Sequence, residues 1–144
     1  MKSMLSAWPV WIAAFWWGSL TTVGFYVVPM LFAHLPTPAL AGNMAAKLFA
    51  AQTWVALVCG LLLLMNGRQN QPSAQTEQSR VAIIFIVSGM LLALLSEFAV
   101  APRIIARENL RLWHSIGTLL YALQWGCAGV VFQKLMTGRS GSAR

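Results

Sequence analysis

The sequence predicts an all-α integral membrane protein, a four-helix bundle built from two helical hairpins that enter the membrane in the same direction. Three observations predict it. Hydrophobic residues make up 58% of the chain and charged residues 9%, against about 45–50% and about 25% in ordinary soluble domains. No Asp, Glu, Lys or Arg occurs in residues 3–46, 48–67, 81–96 or 112–133, and a bilayer core takes roughly 20 mostly apolar residues per helix. Finally, the chain repeats itself. Phe25-x-Val27-x-Pro29-x-x-x-Ala33 returns 73 residues later as Phe98-x-Val100-x-Pro102-x-x-x-Ala106. Leu48-Phe49-Ala50-x-Gln52 returns at nearly the same offset as Leu120-Tyr121-Ala122-x-Gln124. Backbone polar groups in lipid must bond internally, which leaves helices as the sensible state of these runs.

The first helix is expected over about residues 7–34. Met1-Lys2 before an apolar run resembles the start of a signal peptide, but the run outlasts the usual ~7–15-residue apolar region, so it reads as an uncleaved span. Leu35-Pro36-Thr37-Pro38 makes the first turn, with Thr37 as N-cap and Pro38 at the first helical position of a helix over about residues 38–66. Asn66-Gly67 is the stop expected for it. Residues 68–79, polar and Gln-rich, link the two copies. The third helix is expected over about residues 80–107, and the fourth over about 110–137 with Asn109 as its cap. Residues 1–138 then form one four-helix domain, and residues 139–144 a disordered tail.

Two helices per copy make a parallel repeat, related by an axis along the membrane normal. Lys2, Arg68, Arg80, Lys134, Arg139 and Arg144 fall on one side, and Lys47, Arg103, Arg107 and Arg111 on the other. The larger group marks the cytoplasmic side, which places both termini there and the chain in a bacterial inner membrane. Small residues recur at four-residue spacing: Ala14, Gly18 and Thr22; Gly42, Ala46 and Ala50; Thr118, Ala122 and Gly126. Such rows predict close helix packing. Trp8, Trp11 and Trp113 suit the interfacial belts, and Trp16, Trp17, Trp54 and Trp125 read as packing residues.

The net charge of +7 comes from Lys and Arg scattered over helix ends, which excludes nucleic acid as the partner and points to the lipid bilayer and its headgroups. Unusual polar groups gather at the non-cytoplasmic mouth. His34, Lys47, Glu97, Arg103, Arg107, Arg111 and His114 are the candidate polar site. Glu97 is the sharpest, because an ionisable group in an otherwise apolar span is costly unless paired. Gly89, Ala93, Glu97 and Ala101 form one row, which turns Glu97 toward the bundle. It reads either as a proton or cation site or as the partner of Lys47, Arg107 or Arg111. Pro29 and Pro102 remove backbone donors at matching depths and predict a kink in each odd-numbered helix. Cys59 and Cys127 read as small hydrophobes. No Ser-His-Asp set, phosphate loop or metal-motif spacing is present, so no catalytic residues are assigned. His34 and His114 share a membrane side and are the candidate ligands for haem or copper.

Trp17-Gly18-Ser19, Gly24-x-x-x-x-Pro29-x-x-Phe32, Ala41-Gly42 and Leu48-Phe49 resemble the transmembrane protein 205-like family, whose bacterial members form domain of unknown function 4149. Pro102-Arg103-Ile104, Arg107 and Trp113-His114-Ser115 continue the resemblance. It implies a small four-helix integral membrane protein without an established activity. A looser resemblance, through a His on the first helix, is to HemJ-type protoporphyrinogen oxidase and implies a haem b redox enzyme. The leading expectation is a non-enzymatic module without a cofactor that handles a small solute or ion, or binds a partner, at the polar mouth. A haem-binding redox enzyme is the alternative, as is an accessory subunit of a membrane complex or a homo-oligomer.

Overall fold

The computed structural model describes residues 7–69 and 77–141, with side chains described for 7–66 and 80–138. Four helices are long and apolar enough to cross a membrane: Trp8–His34 (α1), Pro38–Asn66 (within α2), Arg80–Ile105 (within α3) and Leu110–Gly138 (within α4). No strand occurs among the described residues. Each helix packs on two neighbours, α1 on α2 and α4, and α3 on α2 and α4. The result is a four-sided bundle of two hairpins.

The helix ends follow local chemistry. Thr37 caps α2, its Oγ1 accepting from the Leu40 N–H at 3.2 Å. α2 runs on to Gln69, past the stop expected at Asn66-Gly67, and α3 begins at Glu77, inside the stretch read as linker. α3 ends at Ile105 rather than near Arg107. The Arg107 N–H bonds to the Ile104 carbonyl at 3.1 Å and the Glu108 N–H to the Arg103 carbonyl at 3.1 Å. This pair of bonds is a Schellman motif, with Arg107 in the left-handed position that glycine usually fills; its φ is 56°. Asn109 follows at φ 32°, and its carbonyl accepts from Leu112 and Trp113 to start α4. α4 extends to Gly141, so the first part of the expected tail is helical, and residues 142–144 lie outside the described residues.

Each proline sits in the first turn of an α-helical segment, Val28–His34 or Ala101–Ile105. Five-residue π-helical turns, Val23–Val27 and Ser96–Val100, precede them. The Val28 N–H reaches back to the Val23 carbonyl and the Ala101 N–H to the Ser96 carbonyl, five residues each. A proline ring clashes with the carbonyl four residues earlier and brings it no N–H. One wide turn absorbs that conflict. The π-turns fall at matching places in the repeated phrase, so the distortion at Pro29 and Pro102 is part of the repeat itself.

The bundle is filled at one end and hollow at the other. Ala13, Trp16, Leu20, Ala56, Cys59, Leu63, Ile86, Ala93, Ala128 and Val131 form the buried core. Most of these lie toward the termini, with Leu20 and Ala93 near the middle of their helices. The outer surface is apolar, with Phe98 68% and Ile105 73% exposed. A face that apolar is a lipid-facing one. Trp54, expected to pack inside, is 65% exposed and belongs to that face.

Close helix approach does not follow the predicted small-residue rows. A Cβ added at Gly18, Gly42 or Gly126 meets nothing within 4 Å. At Gly24 it would overlap Tyr121 Cε1, and at Gly89 it would stand 2.9 Å from Trp16. The tight spots are those where a bulky side chain from another helix lies across a glycine, Tyr121 over Gly24, Trp16 over Gly89 and Met90 over Gly60.

Candidate functional site

The hollow half is a cavity of about 390 Å³ between all four helices. That lies within the ~300–1,000 Å³ range of small-molecule sites. Its wall is mostly apolar and partly aromatic, with Phe25, Phe32, Phe49 and Tyr121 on it. Polar groups enter at three heights. His114 lies four residues into α4, so about 6 Å along the helix from the turn end. Glu97 and Ser96 lie on the second π-turn, Glu97 about 12 Å along α3 from Ile105. Gln52 and Gln124 lie deepest, each about 21 Å from the start of its helix.

The floor is half satisfied. Gln52 Nε2 donates to Ser19 Oγ at 2.9 Å, and Ser19 Oγ donates to the Trp16 carbonyl at 2.8 Å. Gln124 is only 3% exposed, yet its Nε2 has no hydrogen-bond partner among the described residues; Ser96 Oγ is in the same state. The repeat explains the difference. The offset that pairs Gly24 with Glu97 pairs Ser19 with Leu92, so the second copy lacks the hydroxyl that satisfies the first copy's amide. Such buried polar atoms are rare in native interiors and mark places where a water or ligand completes the structure.

Tyr121 sets one wall. Its hydroxyl donates to the Leu20 carbonyl at 2.8 Å, just ahead of the first π-turn. Its ring stands edge-on to Phe49, centroids 5.2 Å apart. Below it, Trp125 Nε1 donates to Thr21 Oγ1 at 2.9 Å, and Trp17 packs against Trp125 and Phe132 at 5.8 Å each.

The predicted polar residues do not converge. Glu97 and His114 line the cavity. Lys47, Arg107 and Arg111 are exposed and outside the lining. Arg103 pairs with Glu108 at 3.5 Å and lies over the Trp113 ring at 4.7 Å, which ties the α3–α4 turn together. The salt bridge weighed for Glu97 is not made among the described residues. His34 is exposed and its Nδ1 lies 3.0 Å from the Met30 carbonyl of its own helix. His34 and His114 are therefore not presented to the cavity as a pair, and no group of three or more His, Cys, Asp or Glu gathers for a metal among the described residues. A haem held by two imidazoles does not fit this arrangement. The floor residues Gln52 and Gln124 line the cavity but enter the sequence reading only as part of the repeated echo. An amide repeated inside two charge-free runs was the signal that marks them.

Four helices long and apolar enough to cross a membrane, packed around a polar-stepped cavity, define a multi-pass integral membrane protein. Within that class, the chain belongs to the family described as domain of unknown function (DUF4149), whose model matches residues 11–112. The match spans α1 to α3 and the turn into α4. No curated protein and no solved structure matches the chain.

Proposed function

We propose that this chain is a non-enzymatic membrane module that admits a small solute to the hollow half of its bundle from the non-cytoplasmic side. Both termini then lie in the cytoplasm, as the Lys and Arg distribution favours. The observation that carries the reading is the cavity: about 390 Å³, apolar-walled, with Glu97 and His114 along it and the unpartnered amide of Gln124 at its floor. A few convergent polar groups in an apolar, pre-formed pocket are what solute recognition needs, and ionisable groups inside a span commonly serve transport or binding.

Thr118 lines the cavity, so Thr118→Cys in a Cys59→Ala/Cys127→Ala background tests the route. A membrane-impermeant maleimide added to intact cells should label it. Labelling only in inverted vesicles, or no labelling from either side, sinks the proposal.

A single observation favours a second reading. His114 lines the cavity and offers one imidazole to a haem. Such a haem would be held by one protein ligand, not by His34 and His114 together.

A further inference from the structure

The cavity contains a carboxyl group but no Lys or Arg to balance it among the described lining residues, and the one imidazole on its described wall, His114, lies nearer the turn end than Glu97. Glu97 makes no ion pair among the described residues. An ionised carboxylate in a partly dehydrated shaft is stabilised by a cation brought to it. The same shaft presents the rings of Phe25, Phe49 and Tyr121, and aromatic faces attract cations that have shed water. Resting on the reading of the cavity as a solute site, we propose that its ligand class is a small organic cation with an apolar or aromatic body. The positive centre pairs with Glu97, the body fills the aromatic shaft, and Gln124 Nε2 donates to an acceptor or a water beneath it.

Two competing classes fit less well. A metal ion wants several oxygen, nitrogen or sulfur ligands in one shell, and this wall is mostly apolar with no such group among the described residues. An anionic amphiphile would use the basic residues near the rim. Of these, Arg103 is engaged by Glu108 and Trp113, while Lys47, Arg107 and Arg111 are exposed. Exposed charges act through water and are screened within about 8–10 Å. A charge pair at an effective dielectric of about 20 is roughly fourfold stronger than the same pair in bulk water. Glu97 therefore dominates affinity, and the rim charges chiefly affect the rate of entry.

Three probes of one shape separate the outcomes: phenyltrimethylammonium, its uncharged isostere tert-butylbenzene, and benzenesulfonate. Titration calorimetry on the full chain in nanodiscs, with empty nanodiscs as blank, should give at least tenfold tighter binding of the cation than of the isostere. Glu97→Gln should remove at least tenfold of the cation's affinity and leave tert-butylbenzene unchanged, whereas Glu97→Asp keeps a cation preference. Equal binding of cation and isostere, insensitivity of the cation to Glu97→Gln, or tighter binding of benzenesulfonate overturns the cation assignment while leaving the cavity reading intact. Gly42 lines the cavity and a Cβ there meets nothing, so Gly42→Leu fills space without a backbone clash and should weaken both binding probes. If no probe binds, or Gly42→Leu changes neither, the cavity reading itself fails and the cation assignment with it. Should Glu97→Gln not fold, the cation preference of the wild type and its retention in Glu97→Asp decide.

Discussion

Gly24 is the position where a single methyl group should do most harm. In Gly24→Ala the new Cβ would overlap Tyr121 Cε1 and stand 3.1 Å from both Cζ and the hydroxyl oxygen. The ring has little freedom to retreat, because its hydroxyl holds the Leu20 carbonyl at 2.8 Å and its edge meets Phe49. Overpacking of this kind costs about 1–3 kcal/mol. Losing the hydroxyl–carbonyl bond adds about 1 kcal/mol. Alanine recovers about 0.5–1 kcal/mol over glycine in a helix, so the net expectation is about 1–3 kcal/mol of destabilisation.

Equilibrium unfolding of detergent-solubilised protein, followed by far-UV circular dichroism, measures it. Gly42→Ala is the control: nothing stands within 4 Å of its Cβ, and it should gain about 0.5–1 kcal/mol. Gly60→Ala tests the other half of the reasoning. Its Cβ would meet the Met90 side chain, which is flexible and can bend away, so the change should stay within about 1 kcal/mol. A cycle of Gly24→Ala with Tyr121→Ala should show coupling of about 1–3 kcal/mol. Additive effects, or a Gly24→Ala variant as stable as Gly42→Ala, would refute the account of Tyr121 as a fixed wall.

Other consequences can be checked with the same material. Arg107→Gly should raise stability by about 1 kcal/mol in the unfolding titration, because it relieves a left-handed non-glycine residue at φ 56°; a loss would show that the Arg107 side chain holds the turn. Gln52→Leu should destabilise by about 1 kcal/mol through the lost bond to Ser19, whereas Gln124→Leu should be neutral or stabilising by up to about 1 kcal/mol, since it removes a buried donor already without a partner. Protein purified from haem-sufficient cells should show no Soret band that depends on both histidines; a band abolished by His34→Ala and by His114→Ala alike would overturn the geometry described for His34.

Much of the fold was legible because it depends on composition along the chain. Charge-free runs located the four helices, and the row Gly89, Ala93, Glu97, Ala101 correctly turned Glu97 inward. The prolines located the distortions but not their form, since a π-turn is a backbone response that the proline only provokes. The small-residue rows misled for a clear reason. A glycine is needed where a bulky group from another helix crosses it, and spacing within one helix does not say what lies opposite. Tyr121 over Gly24 and Trp16 over Gly89 are both such crossings. The seven polar residues were grouped as one mouth because they share an end of the chain's topology. The turn separates them: Arg103 faces Trp113 and Glu108, while Glu97 stands two helical turns deeper.

The repeat also accounts for where the cavity's polarity sits. Positions paired by the duplication share a frame of π-turn and proline but differ in what they place beside it. In the first copy Gly24 lets the Tyr121 ring close over the π-turn and bond to Leu20, and Ser19 satisfies Gln52. In the second copy the paired positions carry Glu97 and Leu92, and the residue that corresponds to Tyr121 is Phe49, which has no hydroxyl to bond. The carboxyl group is thereby left in the shaft and the Gln124 amide below it without a partner. If this divergence creates the site, restoring the first copy's pattern should remove it. Leu92→Ser should give Gln124 its missing partner, and Glu97→Gly should delete the charge. The double variant should then keep the four-helix fold by circular dichroism while losing the cation preference. Retained preference would show that the polarity of this site does not come from the difference between the two copies.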